Sequence, residues 1–201
     1  MARQAKLVPA ALGFRVKSGW AMAVLLAGPA AEPALVICRE VLLSDPKFPQ
    51  SRQPFHAALE LSEKEGKAVT RKLTSVVRTA AANSVKQLFS DASAARYEIC
   101  GASLVVGSLV DPATLHNEHI RAHGLEGQLF RQALEEAVLA YKIPCAVWLE
   151  KRAYETAASA LSKTPAQAKR TIAGLGESHT GSWRAEEKLA ALAAWAALAR
   201  A

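Results

Sequence analysis

The densest run of chemically capable side chains in this 201-residue chain is His116-Asn117-Glu118-His119-Ile120-Arg121-Ala122-His123, with Asp111 upstream and Glu126 three residues further on. On a helix, residues 119 and 123 share a face. A helix starting early enough adds 116, so that His116, His119 and His123 could gather imidazoles for a transition metal or a phosphate. The HExxH pattern of a zinc hydrolase is missing, and polar capping residues at an exposed helix start account for the same run. His56 follows Ser51-Arg52-Gln53-Pro54-Phe55 and is a candidate general base or phosphate ligand, or a plain residue at a helix start. Cys38, Cys100 and Cys145 lie in apolar runs at irregular spacing, with no CxxC pair and no neighbouring histidine. That pattern reads as reduced, buried core thiols rather than as nucleophiles or zinc ligands. Gly174-Leu175-Gly176 lacks the rest of a phosphate-loop pattern and reads as a helix stop.

Cations supply the other candidate chemistry, because the formal net charge is +7. Lys64, Lys67, Arg71, Lys72, Arg78 and Lys86 occupy the polar positions of a helical stretch over 55–89, whose apolar stripe includes Val69, Leu73, Val76, Val77, Ala80 and Leu88. With Arg15, Lys17 and Arg52 they form a candidate surface for the sequence-independent neutralisation of phosphates. Glu60, Glu63 and Glu65 interleave at the start of the stretch, where a salt-bridged solvated face is an equal reading.

Three apolar stretches, Ala11–Val16, Trp20–Leu26 and Ala34–Leu43, are separated by glycine and proline turn signals and predict consecutive antiparallel strands. A proline-rich loop over 44–54 precedes the long helix. Beyond it the pattern gives a strand over 97–109, a helix over 119–142, the short strand Cys145–Leu149, and helices over 153–161, 166–173 and 184–200. Strand-helix-strand units after a strand meander imply an α/β fold with a mixed sheet covered by helices on both faces. No boundary or repeat interrupts 1–201, so a single domain is expected, with 1–9 as a flexible N-terminus. No apolar run approaches the ~20 residues that span a bilayer, and the expectation is a cytoplasmic protein with no membrane partner.

This order of elements is similar to the ribonuclease H-like fold, and several segments resemble its RuvC-type Holliday-junction resolvase branch. They are Leu12-Gly13-Phe14-Arg15-Val16-Lys17-Ser18-Gly19-Trp20-Ala21, the strand Ala102–Gly107, the stretch Lys163-Thr164-Pro165-Ala166-Gln167-Ala168, and the last helix over 185–197. The resemblance implies a cluster of carboxylates holding two divalent cations about 4 Å apart, since hard cations take oxygen ligands. At or near the implied positions this chain carries Arg15 on the first strand, or Phe14 or Val16 if the turn is shifted, Gly107 beside Ser108 at the end of the fourth, and Arg184 one turn before Glu186 and Glu187. The reading is therefore a bacterial-type pseudo-nuclease, without cofactor, that binds nucleic acid or a protein partner through its basic surface. Two alternatives stand beside it. One is a divalent-metal hydrolase with a rearranged site of Asp111, His116, His123 and Glu187, with His56. The other is a structural subunit whose alanine-rich last helix forms a homo-oligomer seam.

Overall fold

A computed structural model describes residues 7–200 of the chain. Its strands β1 (Val8–Lys17), β2 (Trp20–Ala27), β3 (Ala34–Leu42), β4 (Tyr97–Val106) and β5 (Cys145–Leu149) form one sheet in the order β3-β2-β1-β4-β5. The first three run antiparallel, while β4 lies parallel to both β1 and β5. The fold is the mixed, ribonuclease H-like sheet expected from the sequence. A two-residue turn at Ser18-Gly19 joins β1 to β2, and Gly19 takes φ 84°, a conformation that costs glycine little.

Helices α1 (Glu63–Ala94) and α2 (Glu118–Leu139) cover one face of the sheet, and α3 (Ala153–Ala160), α4 (Pro165–Leu175) and α5 (Ala185–Leu198) cover the other. Central strand β1 is buried on both faces. Its Leu12, Phe14 and Val16 pack with Val77, Leu88, Phe130 and Leu134 of the first helix layer. The alternate residues turn toward α5, where a side chain on Gly13 would meet the Ala190 carbonyl oxygen at 1.9 Å and the Ala194 nitrogen at 2.3 Å. The absence of a Cβ thus brings the helix backbone onto the strand. Every residue of α5 from Leu189 to Leu198 is buried within the chain, which corrects the expectation that this helix presents an oligomer seam.

Strand β5 matches its expected bounds, but the long helix does not. It begins at Glu63, after Ser62 accepts a hydrogen bond from the Glu65 nitrogen. The apolar residues from Phe55 to Leu61 imitate helical periodicity, yet the chain that follows Pro46, Pro49 and Pro54 takes only 3-10 turns, at Pro49–Arg52 and His56–Ala58. At the other end of the chain, β1 begins at Val8, so the proposed flexible segment 1–9 is ordered strand from Val8 on; residues 1–6 lie outside the described residues.

The cysteines do lie in strands, but all three are half-buried rather than enclosed. Burial pushes the Cys38 thiol up to about 11 and the Cys145 thiol up to about 12, with Glu187 and Glu135 acting in the same direction. Since the unfolded thiols ionise near 9.0, unfolding releases their protons above that pH, and stability falls as pH rises. Urea midpoints should therefore drop between about pH 8 and pH 10.5, and Cys145→Ser should flatten the drop.

Candidate functional site

The first- and fourth-strand positions that the resolvase resemblance singles out do meet, at the carboxyl ends of parallel neighbours β1 and β4. Arg15 pairs in register with Val105, two residues before Gly107. Its side chain lies on the α5 side of the sheet and is 4% exposed. The guanidinium donates to the Val16 carbonyl and, through Nη2, to Glu150 just beyond β5. To reach Glu150 from β1 it crosses the end of β4. A Cβ on Gly107 would lie 3.9 Å from Nη2, so any longer side chain there would compete with that crossing. Arg15 Nε is buried without a hydrogen-bond partner. The expectation that Arg15 contacts phosphate from the surface is thereby corrected, because its side chain is buried and its charge is committed to Glu150.

The two acids at the start of α5 are committed as well. Lys17 Nζ lies 3.1 Å from Glu186, and its hydrogen bond is the main cause holding that carboxyl below the usual range. Glu187 is buried and accepts from the Arg184 backbone nitrogen at 2.8 Å, closing the first turn of its own helix. A pair of divalent cations does not fit this arrangement. It would need carboxylate oxygens from the first and fourth strands, and it would meet a fixed guanidinium instead.

Beside this pair lies a cleft of about 460 Å³, walled by Arg15, Lys17, Ser108, Asp111, His123 and Arg131. Asp111 is occupied in capping the 3-10 turn Pro112–Thr114, where it accepts from the Ala113 nitrogen. Asn117 caps α2 by accepting from Ile120, which leaves His116 ahead of the helix. The expected three-histidine face is corrected accordingly: His119 and His123 remain on α2, and His116 does not join them. The rearranged set of Asp111, His116, His123 and Glu187 does not assemble either, since Glu187 closes the first turn of α5 and does not line the cleft.

A different group forms instead. Glu126 is 1% exposed; its Oε1 accepts from the His56 backbone nitrogen at 3.2 Å and lies 2.8 Å from His56 Nδ1. Its other oxygen, Oε2, is buried with no hydrogen-bond partner among the described residues and lies 3.8 Å from His123 Nδ1. The His56 and His123 ring centres are 4.2 Å apart, and His119 stands 5.8 Å from His56. Sequence reasoning put both histidines in one rearranged site but completed it with Asp111, His116 and Glu187 rather than with Glu126. The signal was Glu126 itself, a charged residue in phase with Ala122, Leu129, Phe130 and Ala133 on the apolar face of α2.

The surface cations are dispersed. Lys67 pairs with Glu63 at 2.5 Å, Arg78 with Glu136 at 3.2 Å, and Lys72 stands 5.2 Å over the Phe48 ring. Arg71 and Arg52 are exposed, the latter packing its stem against the Gly19 turn.

No family model matches the chain, and no curated protein does. Among solved structures it is similar to RuvC of Thermus thermophilus, with TM-score 0.55 at 9% identity, covering 93% of this chain and 92% of that one. It is also similar to T. thermophilus RuvC in complex with a Holliday junction substrate, with TM-score 0.53 at 10% identity, covering 93% of this chain and 90% of that one. The fold is shared with these proteins. Within the described residues no helix is long and apolar enough to cross a membrane.

Proposed function

We propose that this chain is a cytoplasmic, single-domain nucleic-acid-binding protein on a resolvase fold, and that it does not hydrolyse phosphodiesters by two-metal chemistry. The observation carrying this reading is the buried Arg15, paired with the half-exposed Glu150 at the carboxyl ends of the central strands, where carboxylates would have to hold the cations. Binding draws support from the +7 net charge and from the likeness to a RuvC structure solved with a junction substrate. In this reading Lys17, Arg52, Lys67, Arg71, Lys72 and Arg78 neutralise backbone phosphates without reading bases. The ion pairs of Lys67 and Arg78 are exposed, worth at most about 1 kcal/mol each, and are readily exchanged for phosphate, while Lys17 must release the partly exposed Glu186 to join them.

Six such contacts give log K against log salt a slope of about −5, a loss of roughly 10³ in affinity between ~50 and ~200 mM salt. Fluorescence anisotropy with single-stranded, duplex and four-way-junction DNA across that range measures the slope. Binding that ignores salt, or is absent at micromolar protein, removes the nucleic-acid reading. Cleavage of the junction with Mg²⁺ or Mn²⁺ that disappears in Glu187→Gln removes the non-catalytic one.

A further inference from the structure

We infer that His56, His123 and Glu126 form a binding site for one divalent cation of the zinc class, at the wall of the cleft between β1 and α2. The site is separate from the carboxylate positions at the strand ends, and the inference does not depend on whether the chain binds nucleic acid. One candidate ligand atom from each of the three residues lies within 4.8 Å of the other two. Ligands around a tetrahedral zinc sit about 3.4 Å apart, given Zn–N and Zn–O distances near 2 Å. The required contraction is therefore on the order of an ångström, and the His123 side chain, 63% exposed, is free to supply it.

The strongest argument is Glu126 Oε2. An ionised carboxylate is costly to bury, and each of its oxygens needs a donor or a cation. Oε1 has two partners, both from His56, whereas Oε2 is enclosed and faces His123 with none. A cation held between the two imidazoles and this oxygen supplies the missing partner. The residues come from separate parts of the chain, with His56 on a 3-10 turn held against α2 by the carboxylate it would share. Such a contact fixes the orientation of a liganding imidazole before the metal arrives.

The donor set also selects the ion. Two imidazole nitrogens and one carboxylate suit zinc and its transition-metal neighbours, while Mg²⁺ and Ca²⁺ prefer all-oxygen shells. Three protein ligands leave a fourth position, and because His123 lines the cleft, that position opens toward water or an anionic oxygen there.

Calorimetry of Zn²⁺ added to the full chain, stripped of metal beforehand, tests the site, with Co²⁺ absorption as a second readout. One equivalent should bind, Co²⁺ should give the intense visible bands of a low-coordinate complex, and His123→Ala and His56→Ala should each weaken affinity about 100-fold or more. His123 is exposed, so its replacement leaves the fold intact and any loss of binding is local. Failure to bind an equivalent at micromolar Zn²⁺, equal affinity in the wild type and both variants, or displacement by equimolar Mg²⁺ would each overturn the proposal.

Discussion

Gly13→Ala should destabilise the protein by about 4 kcal/mol or more, enough to leave much of it unfolded or insoluble at 37 °C. The added methyl would stand 1.9 Å from a carbonyl oxygen and 2.3 Å from an amide nitrogen, both belonging to the α5 backbone. No rotamer relieves an overlap with backbone, so the whole helix must lift from the central strand and give up packing along its buried length. Gly174→Ala in α4 is the matched control, since a Cβ there meets nothing within 4 Å. It should be neutral or stabilise by up to about 1 kcal/mol, as alanine is the better helix former. Thermal unfolding of the two variants side by side checks the contrast. A Gly13→Ala melting point within a few degrees of wild type would mean that α5 is not seated as described.

Arg15→Ala should cost about 2–3 kcal/mol, somewhat less than the loss of a fully buried pair because the Glu150 side chain is 42% exposed and can rehydrate. For a chain of this size the melting temperature falls by about 4–10 °C. Glu150→Ala should be comparably harmful for a different reason, since it strands a buried guanidinium whose Nε already lacks a partner. A double-mutant cycle on Arg15 and Glu150 should return a coupling of at least about 1 kcal/mol; additive losses would show that the two groups act independently. Arg15→Asp reinstates an acid at the first-strand position yet should not yield Mg²⁺-dependent cleavage. Gly107 still offers no ligand, and Glu186 and Glu187 remain held by Lys17 and the α5 amino end.

The element order and the place of Arg15 were legible in the sequence because they rest on local signals. Turn residues bracket each early strand, Pro144 stands between the turn after α2 and β5, and Thr164-Pro165 starts α4 with a complete capping box. The partner of Arg15 was not legible, since Glu150 follows a different strand and only the parallel register of β1, β4 and β5 brings it near. His56 and Glu126 meet for the same kind of reason, through the docking of the 49–58 turns against α2, which no periodicity reports. Of the two readings of the histidine run, the capping one holds, because Asn117 takes the capping role and fixes the helix start just after His116.

The close seating of Gly13 under Ala190 and Ala194 also bears on how the protein is made. A ribosome delivers β1 before, and α5 after, all the other described elements, so the strand waits for its covering helix while everything between them is made. Until then Ala11, Val24, Leu26 and Val105 have no α5 to cover them. The nascent chain in that interval carries the exposed apolar sheet surface that chaperones recognise, and completing the core requires closing the long loop between β1 and α5, which favours slow folding.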